Sequence, residues 1–228
     1  MAALSREIEF KFAVNGKQAF LQMLEHLNLS SSLLDHGVTQ TNHFFDSQEL
    51  CLHNNHFVVR LREEGENRIL TIKGEQQIRT DGNAVLTERV EQEVVLPNET
   101  ALELLRGTIT ARQAIKQHFG DRSSAILQMI TSACHDNDLV HIGKFENIRV
   151  HLPPVDLTLG ETSATVEFEL DTSTFPDGNV DHEFEIEITE NSDAEKIEAA
   201  LIELFRQADI AWDSAPSKAE RFFSALSR

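Results

Sequence analysis

Charged and apolar residues alternate along Arg6-Glu7-Ile8-Glu9-Phe10-Lys11-Phe12. An extended backbone sends successive side chains to opposite faces. Glu7, Glu9 and Lys11 therefore share one face, and Ile8, Phe10 and Phe12 share the other. The same period of two recurs at Arg60/Arg62, Arg89/Glu91/Glu93, Glu167/Glu169/Asp171 and Glu183/Glu185/Glu187. Repeated over so many strands, the pattern predicts a sheet closed on itself around a charged, wet interior.

Strands are expected over about Ser5 to Val14, Val38 to Asp46, Leu86 to Leu96, Leu139 to Leu152, Val155 to Gly160, Thr165 to Asp171 and Val180 to Thr189. Phe57 to Glu63 and Arg68 to Lys73 read as a hairpin turning at Glu64-Gly65-Glu66-Asn67. Gln76 to Asn83 is polar and contains Asp81-Gly82, the composition of an exposed loop. Helical spacing appears at Lys17 to Leu27, with Phe20, Leu21, Leu24 and Leu27 on one face. It dominates from Asn98 to about Asn137, which reads as a helical insert over the outside of the sheet. Asp193 to Ala208 is amphipathic, with Asp193 placed as an acidic cap, and a last helix falls near Ser217 to Leu226. About eight strands joined mostly to sequence neighbours point to an antiparallel barrel. The fold class expected is α+β: a closed eight-stranded antiparallel barrel with helices packed outside and a C-terminal helix. No repeat or linker divides the chain, so residues 1–228 are read as one domain with its insert at about 98–137.

Composition narrows the partners. The chain has 228 residues, 40% hydrophobic and 25% charged, as in soluble globular proteins, and carries a net charge of −18. That balance repels nucleic acid and anionic membranes. A small polyanion is still admissible if the 20 lysines and arginines are concentrated in one place. Cys51 and Cys134 lie far apart without CxxC spacing, so no disulfide framework or zinc site is expected. No apolar run reaches membrane-spanning length and charge begins at Arg6, which argues for a cytoplasmic protein without a signal peptide.

The charged blocks resemble a known family in their order. Glu7-x-Glu9-x-Lys11 is similar to the ExExK signature of the CYTH superfamily, the triphosphate tunnel metalloenzymes. His43-Phe44-Phe45-Asp46-Ser47, Val59-Arg60-Leu61-Arg62 and Leu70-Thr71-Ile72-Lys73-Gly74 resemble its next three segments. Arg89-Val90-Glu91-Gln92-Glu93, Lys144 to Arg149, Phe168 to Asp171, Phe184 to Glu187 and Ser217-Lys218 continue the match. The chain most resembles the stand-alone members that act on inorganic tripolyphosphate. The resemblance implies metal-dependent hydrolysis of a phosphoanhydride to pyrophosphate and phosphate inside a tunnel.

On that reading Glu7, Glu9, Asp171, Glu185 and Glu187 form an all-oxygen site for Mg²⁺ or Mn²⁺. Lys11, Arg60, Arg62, Lys73, Arg89, Arg149 and Lys218 bind phosphate oxygens, as an opposite, basic wall. Glu9, Glu91 or Glu93 could take the attacking water's proton, with Lys11 beside them. The expected partner is a small anionic triphosphate, not nucleic acid or membrane, and the protein is expected to be a monomer or homodimer. Thiamine triphosphatase and class IV adenylate cyclase are the family alternatives. The position two before Arg60 is Val58, where animal thiamine triphosphatases carry a tryptophan. A binding module that has lost turnover is the non-enzymatic alternative.

Several conspicuous residues have plainer readings. Arg89 is read equally well as a simple partner of a neighbouring glutamate. Lys144, out of phase with Arg149, belongs outside, and Glu183 on the rim. Only Asp171 of its strand is favoured as a ligand, over Glu167 and Glu169. Asp46 suits strand-end structure, His53-x-x-His56 an exposed turn, and Phe10, Phe12, Phe44 and Phe168 the core on the barrel's outer face.

Overall fold

A computed structural model describes residues 6–79, 85–160, 162–189, 192–214 and 216–226. Its strands are β1 (Arg6–Val14), β2 (Val38–Asp46), β3 (Val58–Glu64), β4 (Asn67–Arg79), β5 (Val85–Val95), β6 (Val140–His151), β7 (Val155–Leu159), β8 (Thr162–Thr174), β9 (Val180–Ile188) and β10 (Trp212–Asp213). The order β1-β5-β4-β3-β2-β6-β8-β9 closes because β9 pairs with both β8 and β1, all antiparallel. Closure leaves this ring without a free edge. β7 extends β8 beyond the ring, and β10 pairs with the end of β1 at Ala13 and Val14. The sheet is therefore the expected closed, eight-stranded antiparallel barrel with two short additions.

Most of the hydrophobic core lies outside the barrel. One cluster joins Phe10, Phe12, Phe168, Phe184 and Ile186 to α1 (Lys17–His26) and α6 (Ala194–Gln207). Asp193 caps α6 by accepting from the Lys196 N–H at 3.3 Å. A second cluster joins Val59, Leu61, Leu70 and Ile72 to the insert, which folds as α3 (Asn98–Leu105), α4 (Ala111–His118) and α5 (Ser123–Cys134). Thr110 and Gln113 form a reciprocal capping box that starts α4. A third cluster packs Phe44, Phe145 and Phe175 against Phe222 and Phe223 of α7 (Lys218–Leu226). The first two clusters clamp the barrel from outside, while the third closes its α7 end with the inward-facing Phe44 and Phe145.

Four expectations change. The loop read over Gln76 to Asn83 is strand as far as Arg79, because β4 continues its pairing with β5 past a bulge after Lys73; Thr80 to Asn83 lie outside the described residues. Phe44 is not on the outer face: it shares the parity of Gln40 and Asn42, points inward, and is stacked on Phe222 at a centroid distance of 4.5 Å. Short elements with too few residues for a period were missed, namely α2 (Cys51–Asn54), a 3-10 turn at Ser31–His36, and β10.

The fourth change concerns the cysteines. Cys51 of α2 and Cys134 of α5 form a disulfide, with Cα atoms 5.3 Å apart and a sequence separation of 83. That span is ordinary for a bridge. Sequence distance said nothing about it, since the insert folds back onto the segment after β2. Closing so long a loop restricts the unfolded chain strongly. Reduction, or the substitution Cys134→Ser, is expected to lower unfolding stability by roughly 2–5 kcal/mol, with the barrel's circular dichroism retained. Identical denaturation midpoints for oxidised and reduced protein would contradict the bridge.

Candidate active site in the barrel interior

Parity on seven strands directs charge into one cavity of about 560 Å³. Glu7, Glu9 and Lys11 enter it from β1, Arg89, Glu91 and Glu93 from β5, and Lys73 from β4. Arg60 and Arg62 enter from β3, Arg149 from β6, and Glu185 and Glu187 from β9. Lys218 reaches in from the start of α7. Asp171, from β8, is fully buried just behind Arg149 and Lys218.

The acids and bases do not form separate walls. Lys11 Nζ lies 2.8 Å from Glu9 and 2.9 Å from Glu185. Arg89 spans Glu7 at 2.9 Å and Glu9 at 3.2 Å, and Lys73 spans Glu7 at 3.0 Å and Glu91 at 3.1 Å. Arg149 donates to Asp171 at 2.9 Å and also pairs with Glu185 and Glu169. Lys218 sits 2.7 Å from Asp171 and 2.8 Å from Glu185, and touches Glu183. Charges this deeply buried survive only when paired, and the interleaving supplies the pairs. Burial works against the ionised forms of Lys11 and Glu185. Glu185 and Glu9 nevertheless hold the Lys11 ammonium, while Lys11, Lys218 and Arg149 hold the Glu185 carboxylate well below its usual range.

Two places depart from this balance. Burial and the neighbouring Arg62 depress the Arg60 guanidinium to about 10, despite Glu91 and Glu93. Its Nε is buried with no hydrogen-bond partner among the described residues, and Arg62 bonds only the neutral Asn42 Oδ1, at 3.4 Å. Arg60 meets carboxylates only at longer range, Glu93 at 3.6 Å and Glu91 at 4.0 Å, so this end of the cavity pairs its bases less closely than the other. At the other, Glu187 is raised by desolvation and by the carboxylates of Glu7 and Glu9. Glu7 and Glu9 thus sense the charge of Glu187 while themselves pairing with Arg89, Lys73 and Lys11. The carboxylates whose oxygens converge closely enough to share one cation are Glu169, Asp171 and Glu185, hard donors of the kind Mg²⁺ takes, with Arg149 and Lys218 beside them.

Sequence reasoning missed part of the lining. Gln40, Asn42 and Asn147 form a buried neutral wall on β2 and β6. There Asn147 donates to Gln40 at 3.0 Å and to Asp171 at 2.8 Å. Their parity with Phe44 and Arg149 was the available signal. Glu183 is not on the rim: it is buried and held by Arg221 and Lys218 of α7. Glu169 lines the cavity beside Asp171. Arg89 does pair with glutamates, yet inside the cavity. Lys144 is exposed. Asp46 accepts backbone N–H bonds from Ser47, Leu52 and His53, securing the end of β2, while the His53 ring stacks on Phe223.

Comparison with known proteins places this geometry. The CYTH domain profile matches residues 5–223. No curated protein sequence matches the chain. Among solved structures, a putative adenylyl cyclase from Hippeastrum, described as revealing a dominant triphosphatase activity, superposes with a TM-score of 0.74 at 20% identity, covering 96% of this chain and 95% of that one. A putative adenylate cyclase from Bacillus halodurans gives 0.65 at 20% identity, covering 96% and 98%. A Pyrococcus horikoshii protein gives 0.55 at 16% identity, covering 97% and 99%. At these identities the superpositions speak for the fold.

The paired charges have a consequence for pH. Desolvation raises Glu91 to about 7, with Glu7 adding to the rise and Lys73 opposing it; desolvation raises Glu169 to about 7, with Arg149 opposing and Glu185 and Asp171 adding. A carboxyl whose folded value exceeds its unfolded one binds its proton more tightly when folded. Its stabilisation is therefore present below about 4.5 and is lost as pH rises through about 7. Between about pH 5 and pH 8 these two carboxyls pull the apo protein's melting temperature down, against the rise contributed by the desolvated His43, His141 and His182. Glu91→Gln and Glu169→Gln should each remove their share of the downward pull, so that the melting temperature of each variant, relative to wild type, rises with pH across the window. Profiles parallel to wild type in both variants would refute the shifts.

Proposed function

Because the chain belongs to the CYTH family, we propose that it is a metal-dependent triphosphatase that hydrolyses inorganic tripolyphosphate to pyrophosphate and phosphate. The observation that carries this reading is one cavity inside the barrel onto which Arg60, Arg62 and Lys73 open together with the carboxylates of Glu7, Glu9, Glu185 and Glu187. The triphosphatase activity described for the Hippeastrum protein supports it. Residues 1–228 are read as one cytoplasmic domain, monomeric or homodimeric, with no nucleic-acid or membrane partner. No helix among the described residues is long and apolar enough to cross a membrane.

Arg60 and Arg62 grip phosphate oxygens with planar, two-pronged donors, and Lys11, Lys73, Arg89, Arg149 and Lys218 neutralise the rest of the chain of phosphates. Glu7, Glu9, Asp171, Glu185 and Glu187 would hold Mg²⁺ or Mn²⁺. Bound there, the divalent ion supplies charge neutralisation and a polarised water. Water attacks the terminal phosphorus in line, the bridging P–O bond breaks, and the arginines and lysines meet the charge gathering on pyrophosphate. Glu91, pushed to about 7 by burial, is better matched to accept the water's proton near neutrality than the lowered Glu93. Val58 stands where animal thiamine triphosphatases carry tryptophan, which weighs against thiamine triphosphate as the substrate.

Phosphate release from tripolyphosphate, ATP and thiamine triphosphate, with Mg²⁺, with Mn²⁺ and with chelator, tests the proposal. Chelator-sensitive release is expected, fastest from tripolyphosphate. Glu9→Gln and Glu187→Gln should lose more than the roughly 10–100-fold that follows loss of an outer-shell partner. Arg60→Ala should raise KM. Fast turnover in chelator, or no turnover of any triphosphate, would defeat the assignment.

A further inference from the structure

One cation that lines the cavity comes from outside the barrel. Arg122 belongs to the helical insert, whose apolar residues pack on the outer faces of β3 and β4. α4 stops where Gly120 takes a φ of 56°, and the 3-10 turn Gly120–Arg122 then leads the chain into α5. A left-handed residue of this kind is a common helix stop. The turn delivers the half-buried Arg122 side chain to the margin of the cavity beside β5.

Neutral groups hold the arm in place. Arg122 Nη1 donates to Gln92 Oε1 at 2.8 Å, and its guanidinium lies over the Phe119 ring, 5.6 Å from the centroid. Gln92 is buried, and its own amide donates to the Glu91 main-chain oxygen at 2.6 Å, so the acceptor offered to Arg122 is fixed. Phe119 beneath it is buried as well. A guanidinium carries five N–H donors in a planar fork, and Gln92 takes one of them. Lys11, Lys73, Arg89, Arg149 and Lys218 each meet carboxylates at close range instead. Arg62, bonded to the Asn42 amide, is the cavity cation treated most like Arg122.

A tie between insert and barrel does not call for this chemistry. For a staple alone, a carboxylate at position 92 would hold the guanidinium more firmly, with two bonds in place of one. A neutral tether fixes the geometry and leaves the full positive charge available to a further partner. The setting says which partner. Gln92 points outward opposite Ile72, but Glu91 and Glu93 on either side of it face the cavity, and Arg60 lies 3.6 Å from Glu93. Arg122 therefore stands at the same stretch of β5 that the loosely paired Arg60 reaches from β3.

We infer that Arg122 is a substrate-binding residue supplied by the helical insert, where it meets the oxygens of a condensed phosphate chain alongside Arg60 and Arg62. The inference rests on the reading of the cavity as a polyphosphate site. Gln92 and Phe119 order the arm before the anion arrives, so its contribution falls on binding. The insert is then part of the site as well as a cover for the barrel.

The test measures tripolyphosphate binding to the full chain by calorimetry in chelator, with steady-state phosphate release in Mg²⁺ alongside. Arg122→Gln should weaken binding about tenfold or more, the scale of a hydrogen bond to a charged group. The loss should appear in KM rather than kcat, as for an interaction made equally in ground and transition states. Arg122→Lys should recover part of it, because the charge is kept and the fork is lost. Gln92→Glu separates binding from stapling. It preserves the tie to the insert, so the melting temperature should hold, yet it neutralises Arg122 and should weaken tripolyphosphate binding. That effect should shrink when Arg122 is already replaced by Gln.

Wild-type affinity in Arg122→Gln would overturn the inference and leave the hydrolytic reading standing. Should that variant not fold, wild-type affinity in a folded Gln92→Glu protein overturns it equally. Tripolyphosphate bound by the wild type without phosphate release would refute hydrolysis, and the same affinities would still judge Arg122. A wild type that binds no tripolyphosphate, with or without Mg²⁺, overturns both.

Discussion

Everything in this structure depends on pairing charge inside a closed sheet. A barrel interior removes its side chains from bulk water, and an isolated buried ion costs several kcal/mol. Seven strands sending charge inward would be untenable if the charges were of one sign. Lys11 between Glu9 and Glu185, Arg89 between Glu7 and Glu9, and Arg149 among Glu169, Asp171 and Glu185 show how the sequence solves it. Each base is shared by more than one acid, so no single contact carries the interior.

That sharing also makes the cavity chemically ready. Where pairing is complete, at Asp171 and Lys218, the groups are structural as much as functional, and the buried amide of Asn147 ties Asp171 to β2 through Gln40. Where it is incomplete, at Arg60 and Arg62 and again around Glu187, the fold tolerates a charge that wants a partner. A polyanion entering at the first and a divalent cation at the second would complete the pairing. A chain of net charge −18 can thus offer an anion a favourable place while its outer surface repels one.

Much of this was legible in the sequence because a strand's period is short and rigid. Glu7/Glu9/Lys11 and Arg60/Arg62 faced the predicted side, and the strands, apart from the far end of β4, fell within a few residues of their predicted ends, since alternation stops where pairing stops. Illegible features were those set by strand neighbours or by chain return. Nothing in Asp181-His182-Glu183 announces that Arg221 of α7 folds back to bury Glu183. Phe44 looked like outer core because an aromatic in a strand usually is; its parity with Asn42 was the better guide. The disulfide depends on where the chain doubles back, which periodicity cannot register.

Stability and chemistry are divided between the two faces of the same strands. Phe10, Phe12, Phe168 and Phe184 anchor β1, β8 and β9 under α1 and α6, while Glu9, Lys11 and Glu185 alternate with them and face inward. Leu61, Leu70 and Ile72 do the same for Arg60, Thr71 and Lys73 beneath the insert. An apolar exterior clamped by helices supplies burial free energy that no inward-facing residue needs to contribute. The interior is consequently free to exchange one ion pair for another without loss of the frame. The exception is the end under α7, where Phe44 and Phe145 point inward and join the aromatic cluster of Phe222 and Phe223. There packing and cavity share side chains, so changes to α7 act on both, and Lys218 links the two by extending from that helix to the carboxylates of β8 and β9.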